Sequence, residues 1–242
     1  MDIKNPVLKC LRQYKIGNMK KKQFKNLKSV QEFKKNIGKT HVFIHGLRSN
    51  IATTEATLDF TKAKNSPDYK KFKELLEFDD TKKSYLFEIG FIVLFSNFEF
   101  FMVNILKELF KKYSGSIKNE KIFCLDEIND FKDVKEIREY IIDLTAVEKS
   151  YDIKSWLDYL GRKFGIKIFK TKKHLDRFLM LNSLRNLYMH AGGITNSKFR
   201  RETKIFLKGT VPLNKEVGLD RRKYFEILYS ELTFLIKNLE KL

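Results

Sequence analysis

Residues 85–106 read YLFEIGFIVLFSNFEFFMVNIL, and the nature of this stretch decides the fold. It has the length and much of the apolarity of a membrane span. It also carries Glu88, Asn97, Glu99 and Asn104, and a carboxylate or amide at mid-bilayer is costly. A helix apolar nearly all round is equally the signature of the centre of a helical bundle. The two carboxylates favour the bundle, so a buried helix is expected and no membrane partner.

Outward from this stretch the helical signals continue. Ser84 is placed to cap a helix over 85–112 that ends near Ser114-Gly115. Residues 131–144 set Phe131, Val134, Ile137, Ile141 and Leu144 at steps of three and four, which predicts an amphipathic helix. Trp156, Leu157, Leu160 and Phe164 repeat the pattern before Gly165. A longer helix is expected from Leu175 to His190, stopped by the Gly192-Gly193 pair. Phe225, Leu228, Leu232, Leu235 and Leu239 mark a closing helix with one core stripe. Only 204–213 (KIFLKGTVPL) reads otherwise, as a short β-hairpin about Lys208-Gly209. The class is all-α in the main: a helical bundle with a small hairpin before its last helix.

The chain has 242 residues, 43% of them hydrophobic, including 22 Phe, so a packed core is available and global disorder is excluded. With 49 Lys and Arg against 30 Asp and Glu, the net charge is +19. Such a surplus makes a polyanion the leading partner. Residues 1–48 hold 13 basic and two acidic groups, with Lys20-Lys21-Lys22 at their centre. They read as a basic arm or as short helices leaning on the body. A division near Asp79-Asp80 is expected, with 1–80 a basic extension and 81–242 the helical domain. Cys10 and Cys124 are isolated and lack zinc-site spacing. The opening residues carry no apolar run, so a cytoplasmic protein is expected. His41 and His45 would face one side of a helix and could share a metal there. The intervening Val42-Phe43-Ile44 reads as strand or core, and no third ligand is near in sequence, so no metal site and no cofactor are expected. His174 is expected on the surface.

Residues 180–193, MLNSLRNLYMHAGG, carry the chemistry. On a helix at about 100° per residue, Asn182, Ser183, Arg185, Asn186 and His190 fall in a sector roughly 160° wide. Met180, Leu181, Leu184, Leu187 and Tyr188 take the other side, with Met189 the apolar exception. Burying that polar sector unpaired is costly, above all for arginine. It must meet carboxylates, a partner subunit or a cleft, and Glu99 and Glu88 are the natural counterparts. Cleavage of an RNA phosphodiester needs a proton taken from a 2′-hydroxyl, a proton given to a 5′-oxygen, and donors for the charge gathering on the phosphate. Histidine moves protons near neutral pH, arginine offers paired donors to phosphate oxygens, and an amide such as Asn186 can orient either.

Arg185-Asn186-x-x-x-His190 at the end of a helix, after an upstream long helix bearing Glu, resembles the R-x4–6-H motif of the HEPN superfamily. His190-Ala191-Gly192-Gly193, the 204–213 piece and the 220–242 helix are similar in order to HEPN relatives of the RiboL-PSP type. The resemblance spans roughly 84–242. It implies a metal-independent endoribonuclease, acting as a homodimer in prokaryotic antiviral defence, abortive infection or as a toxin. It implies that Arg185 and His190 are catalytic, that Asn186 supports them, and that Glu99 occupies the acidic position near the site. An inhibitor or sensor protein is a further expected partner. The subclass paired with nucleotidyltransferase antitoxins bears a Tyr two positions after the His; Gly192 stands there in this chain, which argues against that partner. Lys198, Arg200, Arg201 and Lys204, just beyond the motif, are expected to hold RNA near the scissile bond. The competing reading makes Arg185 and Glu99 a structural ion pair within a non-catalytic RNA- or protein-binding module.

Overall fold

The computed structural model describes residues 24–60, 80–113, 116–117, 125–204, 212–217 and 220–242. Among these, eight α-helices and one 3-10 turn (Phe24–Asn26) form, with no strand. The long apolar stretch lies in α2 (Asp80–Lys112), which runs through the middle of the bundle. Helices α1 (Lys28–Phe60) and α8 (Arg221–Leu239) pack along it, with α4 (Val134–Lys149) and α6 (Lys172–Ala191) on further sides. The small α3 (Leu125–Asn129), α5 (Ile153–Phe164) and α7 (Ser197–Thr203) complete the set.

The core forms from phenylalanines at helical spacing on α2. Phe91, Phe95, Phe98 and Phe101 are buried, and each such side chain contributes about 1.5–3 kcal/mol by leaving water. Phe101 stacks on Phe33 of α1 at 4.5 Å, and Phe98 meets Phe178 of α6 edge-on at 4.8 Å. Trp156 of α5, fully buried, donates from Nε1 to the Met102 carbonyl at 3.1 Å, so its one polar atom is satisfied. By length and composition α2 could still cross a membrane, with a mean hydropathy of 1.9 over its most apolar part. Three of its polar residues instead find partners on other helices: Glu88 with Arg221, Asn97 with Thr40, and Glu99 with Arg185. α2 begins at Asp80, so Ser84 lies within the helix and is not its cap.

The basic segment departs from expectation. Phe24, Leu27, Val30, Phe33, Ile37 and Ile44 belong to the same buried cluster as α2 and α8, so 24–44 is part of the bundle. The α1 N-terminus is held by α2: Glu108 accepts from the backbone N–H of Lys28 at 2.9 Å and of Ser29 at 3.0 Å, and from the Ser29 hydroxyl at 2.7 Å. A carboxylate from a neighbour thus does the work of a cap. α1, α2 and α8 converge at Gly90, where a Cβ would lie 2.7 Å from Phe225 and 2.8 Å from Ile44. The Lys20–Lys22 run, Cys10, Cys124 and residues 61–79 lie outside the described residues.

Other expectations fare unevenly. α5, α6 and α8 form where the periodicity placed them, and all five stripe residues of α8 are fully buried. α4 forms too, but turned: Ile142 and Ala146 face the core while Val134 and Leu144 stay exposed. That helix has apolar residues on two sides, and periodicity cannot say which one meets α2. The β-hairpin is not seen. Residues 205–211 lie outside the described residues, and the described pairing instead joins 193–195 to 214–217. There Ile194 and Glu216 form one antiparallel bridge, and Thr195 exchanges backbone bonds with Asn214 and Lys215 at 2.9 Å.

Candidate functional site

α6 starts at the Thr171 cap and buries Phe178, Leu181, Leu184 and Leu187 against the core. Its last turn ends on Gly192 (φ 53°) and Gly193 (φ 78°), both in the left-handed region where glycine is unstrained. The Gly193 N–H donates to the Leu187 carbonyl at 3.2 Å, and a Cβ on Gly193 would press the Tyr188 ring at 3.3 Å. This turn ends the helix directly after His190 and sends the chain into α7.

The polar sector of α6 is divided among partners. Arg185, its side chain 17% exposed, donates from Nη2 to Glu99 Oε2 at 2.7 Å and from Nη1 to Asn186 Oδ1 at 3.0 Å. A guanidinium has five N–H donors. Two are used in these bonds, and Nε is buried without a partner among the described residues. The single Ser183 hydroxyl proton is shared between Glu202 of α7, at 2.7 Å, and the Leu179 carbonyl, at 3.2 Å. His190 is exposed and makes no side-chain hydrogen bond with a described residue. From helix geometry it stands about 7.5 Å along the axis and about 140° around from Arg185. Arg185, Asn186 and Glu99 therefore meet in one hydrogen-bonded group, and His190 stands apart from it on the same helix end.

Glu88, the other expected counterpart, is taken elsewhere. Arg221 donates from Nε to Glu88 Oε2 at 2.8 Å and from Nη2 to Glu216 at 2.7 Å. Tyr188 lies close to this group; burial, with the Glu88 charge adding, pushes its phenol up to about 12. Tyr188 therefore stays neutral through the physiological range.

The basic residues beyond the motif sit on and just after α7, with Lys198, Arg200, Arg201 and Lys204 all exposed. Asn196 caps this helix by accepting from the Phe199 N–H at 2.9 Å, while Phe199 and Thr203 anchor its inner side. A short, firmly seated helix thus presents cations beside the end of α6.

Two constellations escaped the sequence reading. His174 is half-buried, not a surface residue: it stacks on Phe234 at 4.0 Å and meets the buried carboxylate of Glu231 at 2.6 Å. Arg177 donates to the other Glu231 oxygen at 2.8 Å. Secondly, His41 and His45 do share a helix, α1, and Glu226 of α8 reaches both, at 3.1 and 2.7 Å. These three residues could hold a metal. The i, i+4 spacing was the available signal; the third member lies some 180 residues on and left none. No protein-family model matches the chain, and no curated protein or solved structure is detectably similar to it.

Proposed function

We propose that this chain is a metal-independent endoribonuclease of the HEPN type, working as a homodimer in prokaryotic antiviral defence or as a toxin. The observation that carries the reading is the end of α6: an anchored, half-buried guanidinium with one N–H on each terminal nitrogen still unused, and, five residues on, an exposed imidazole without a partner among the described residues. In this reading Arg185 donates to the phosphoryl oxygens as charge gathers there. Asn186 and Glu99 hold its plane. His190 moves the proton, as base towards the 2′-hydroxyl or as acid towards the leaving 5′-oxygen. The 2′-oxygen attacks phosphorus, the 5′-oxygen departs with a proton, and the products are a 2′,3′-cyclic phosphate and a 5′-hydroxyl end. Lys198, Arg200, Arg201 and Lys204 neutralise neighbouring phosphates.

Dimerisation follows from the chemistry. The reaction needs one proton acceptor and one donor, and each chain brings one exposed imidazole to the helix end, so two copies supply both roles. Tyr85, Ile89, Val93 and Phe100 form an exposed apolar stripe on α2 beside Glu99, of the kind a second copy covers.

Labelled RNA incubated with the full chain in excess EDTA tests this. Shortened products ending in a cyclic phosphate are expected, and they disappear with His190→Ala or Arg185→Ala. Cleavage abolished by EDTA, or surviving His190→Ala, rejects the mechanism. The second reading, a non-catalytic RNA- or protein-binding module, draws on the Arg185–Glu99 ion pair, which suits a structural role as well. It predicts salt-sensitive binding without turnover.

A further inference from the structure

His41, His45 and Glu226 belong neither to the α6 site nor to any packing need met by apolar residues, and their arrangement has a chemistry of its own. Two histidines four apart project from one face of α1, the spacing at which a helix offers two imidazoles to one ion. Glu226 comes from α8 and directs one oxygen at each ring: Oε2 lies 3.1 Å from His41 Nε2, and Oε1 lies 2.7 Å from His45 Nε2. All the ligand atoms fall within 4.8 Å of one another. The rings are seated by aromatic neighbours. His41 stacks on Tyr229 at 3.9 Å, and His45 meets Phe87 edge-on at 5.8 Å. Their backbones are fixed by the close approach at Gly90, since Ile44 and Phe225, the residues adjoining His45 and Glu226, are the ones a Cβ there would strike.

We infer that His41, His45 and Glu226 form a binding site for a zinc-class divalent transition metal that ties the N-terminal helix α1 to the C-terminal helix α8. A tetrahedral ion at about 2.0–2.2 Å from its ligands separates them by about 3.3 Å. The two imidazole–carboxylate separations, 3.1 and 2.7 Å, are slightly shorter than that value, and no two ligand atoms are more than 4.8 Å apart. The three groups thus already stand at about the spacing an ion requires. Two imidazoles and one carboxylate suit zinc, cobalt or nickel, whereas calcium and magnesium prefer oxygen sets. Three protein ligands leave a fourth position for water, and side-chain exposures of 26%, 33% and 38% give it access. Binding replaces two imidazole–carboxylate contacts with three metal bonds across the helix pair, and so stabilises the folded chain. The site shares no residue with the α6 group, and the inference does not depend on the ribonuclease reading.

The test uses the full chain, stripped with EDTA and with Cys10 and Cys124 alkylated so that thiols do not compete. Titration with Co2+ is expected to give one bound ion per chain with a visible d–d absorption band, displaced by Zn2+. Zn2+ raises the melting temperature, and Mg2+ does not. His41→Ala, His45→Ala and Glu226→Gln each lose the band and bind at least about 100-fold more weakly, beyond the 10–100-fold typical of a lost outer partner. Glu226→Gln keeps size and hydrogen bonding, so a misfolded variant does not account for its loss, and circular dichroism verifies this. His190→Ala, which removes an exposed imidazole elsewhere, keeps the band. Wild-type chain that takes up less than half an equivalent, or the three variants binding as wild type does, overturns the inference.

Discussion

The two ends of α6 carry the same residue types and put them to opposite use. At its start, His174 and Arg177 close on Glu231, whose carboxylate is 3% exposed and has both oxygens engaged. At its end, Arg185 meets Glu99, whose carboxylate is 43% exposed with one oxygen engaged, and His190 has no partner among the described residues. The acid at the first end is saturated: both Glu231 oxygens are engaged and the carboxylate is sealed from water. The second retains guanidinium donors, an imidazole and an open face. Residue type does not separate a structural ion network from a candidate reactive site; the burial of the carboxylate and an imidazole left open to solvent do.

The comparison breaks first at the open end. His190→Ala is expected to lower RNA cleavage by about 10²–10⁴-fold and Arg185→Ala by about 10²–10³-fold, in single-turnover assays. His190→Ala should leave stability within about 0.5 kcal/mol, as an exposed side chain outside the core. At the closed end the signs reverse. Glu231→Ala takes the shared acceptor from a histidine and an arginine that keep access to water, and should cost about 1–3 kcal/mol in urea unfolding, with cleavage per folded molecule unchanged. A cost under about 1 kcal/mol would show that this end is not the saturated network described.

Smaller effects sharpen the contrast. Glu99→Gln keeps the shape of the Arg185 contact but weakens a charge-assisted hydrogen bond to a neutral one. Solvent screening at a carboxylate 43% exposed limits the loss to about 1 kcal/mol, so cleavage should fall roughly fivefold. If the pair is only structural, stability falls instead and the rate per folded molecule does not. The smallest effect is Tyr188→Phe. The folded phenol ionises near 12, above the ordinary 10, so the unfolded chain loses its proton first as pH rises. Wild-type stability should therefore decline relative to the variant between about pH 10 and about 12, and match its trend below that window. Melting temperatures of both proteins across the range measure this.

Much of the fold was legible as periodicity. The stripe of α8, the Trp156 helix and the glycine stop after His190 depend on residues three or four apart, and those contacts are local. The Arg185–Glu99 pairing was also within reach, because an arginine on an otherwise apolar helix needs a carboxylate and the neighbouring helix offered few. Where two answers were locally equal, the expectation failed. α4 has two apolar sides, and the stretch around His41 suits helix or strand; neither ambiguity is resolved by nearby residues.

The positions of α5, α6 and α8, the glycine stop of α6 and the apolar character of α2 were thus written into short-range chemistry, where each residue's preference is settled by its own neighbours. Which distant donors each of the other carboxylates meets was not. Glu108 holding α1, Glu231 sealing His174, and Glu226 joining His41 to His45 all span more than 50 residues. Such pairings exist only once the helices are packed, because burial selects among many equivalent charged partners the one that leaves no group stranded.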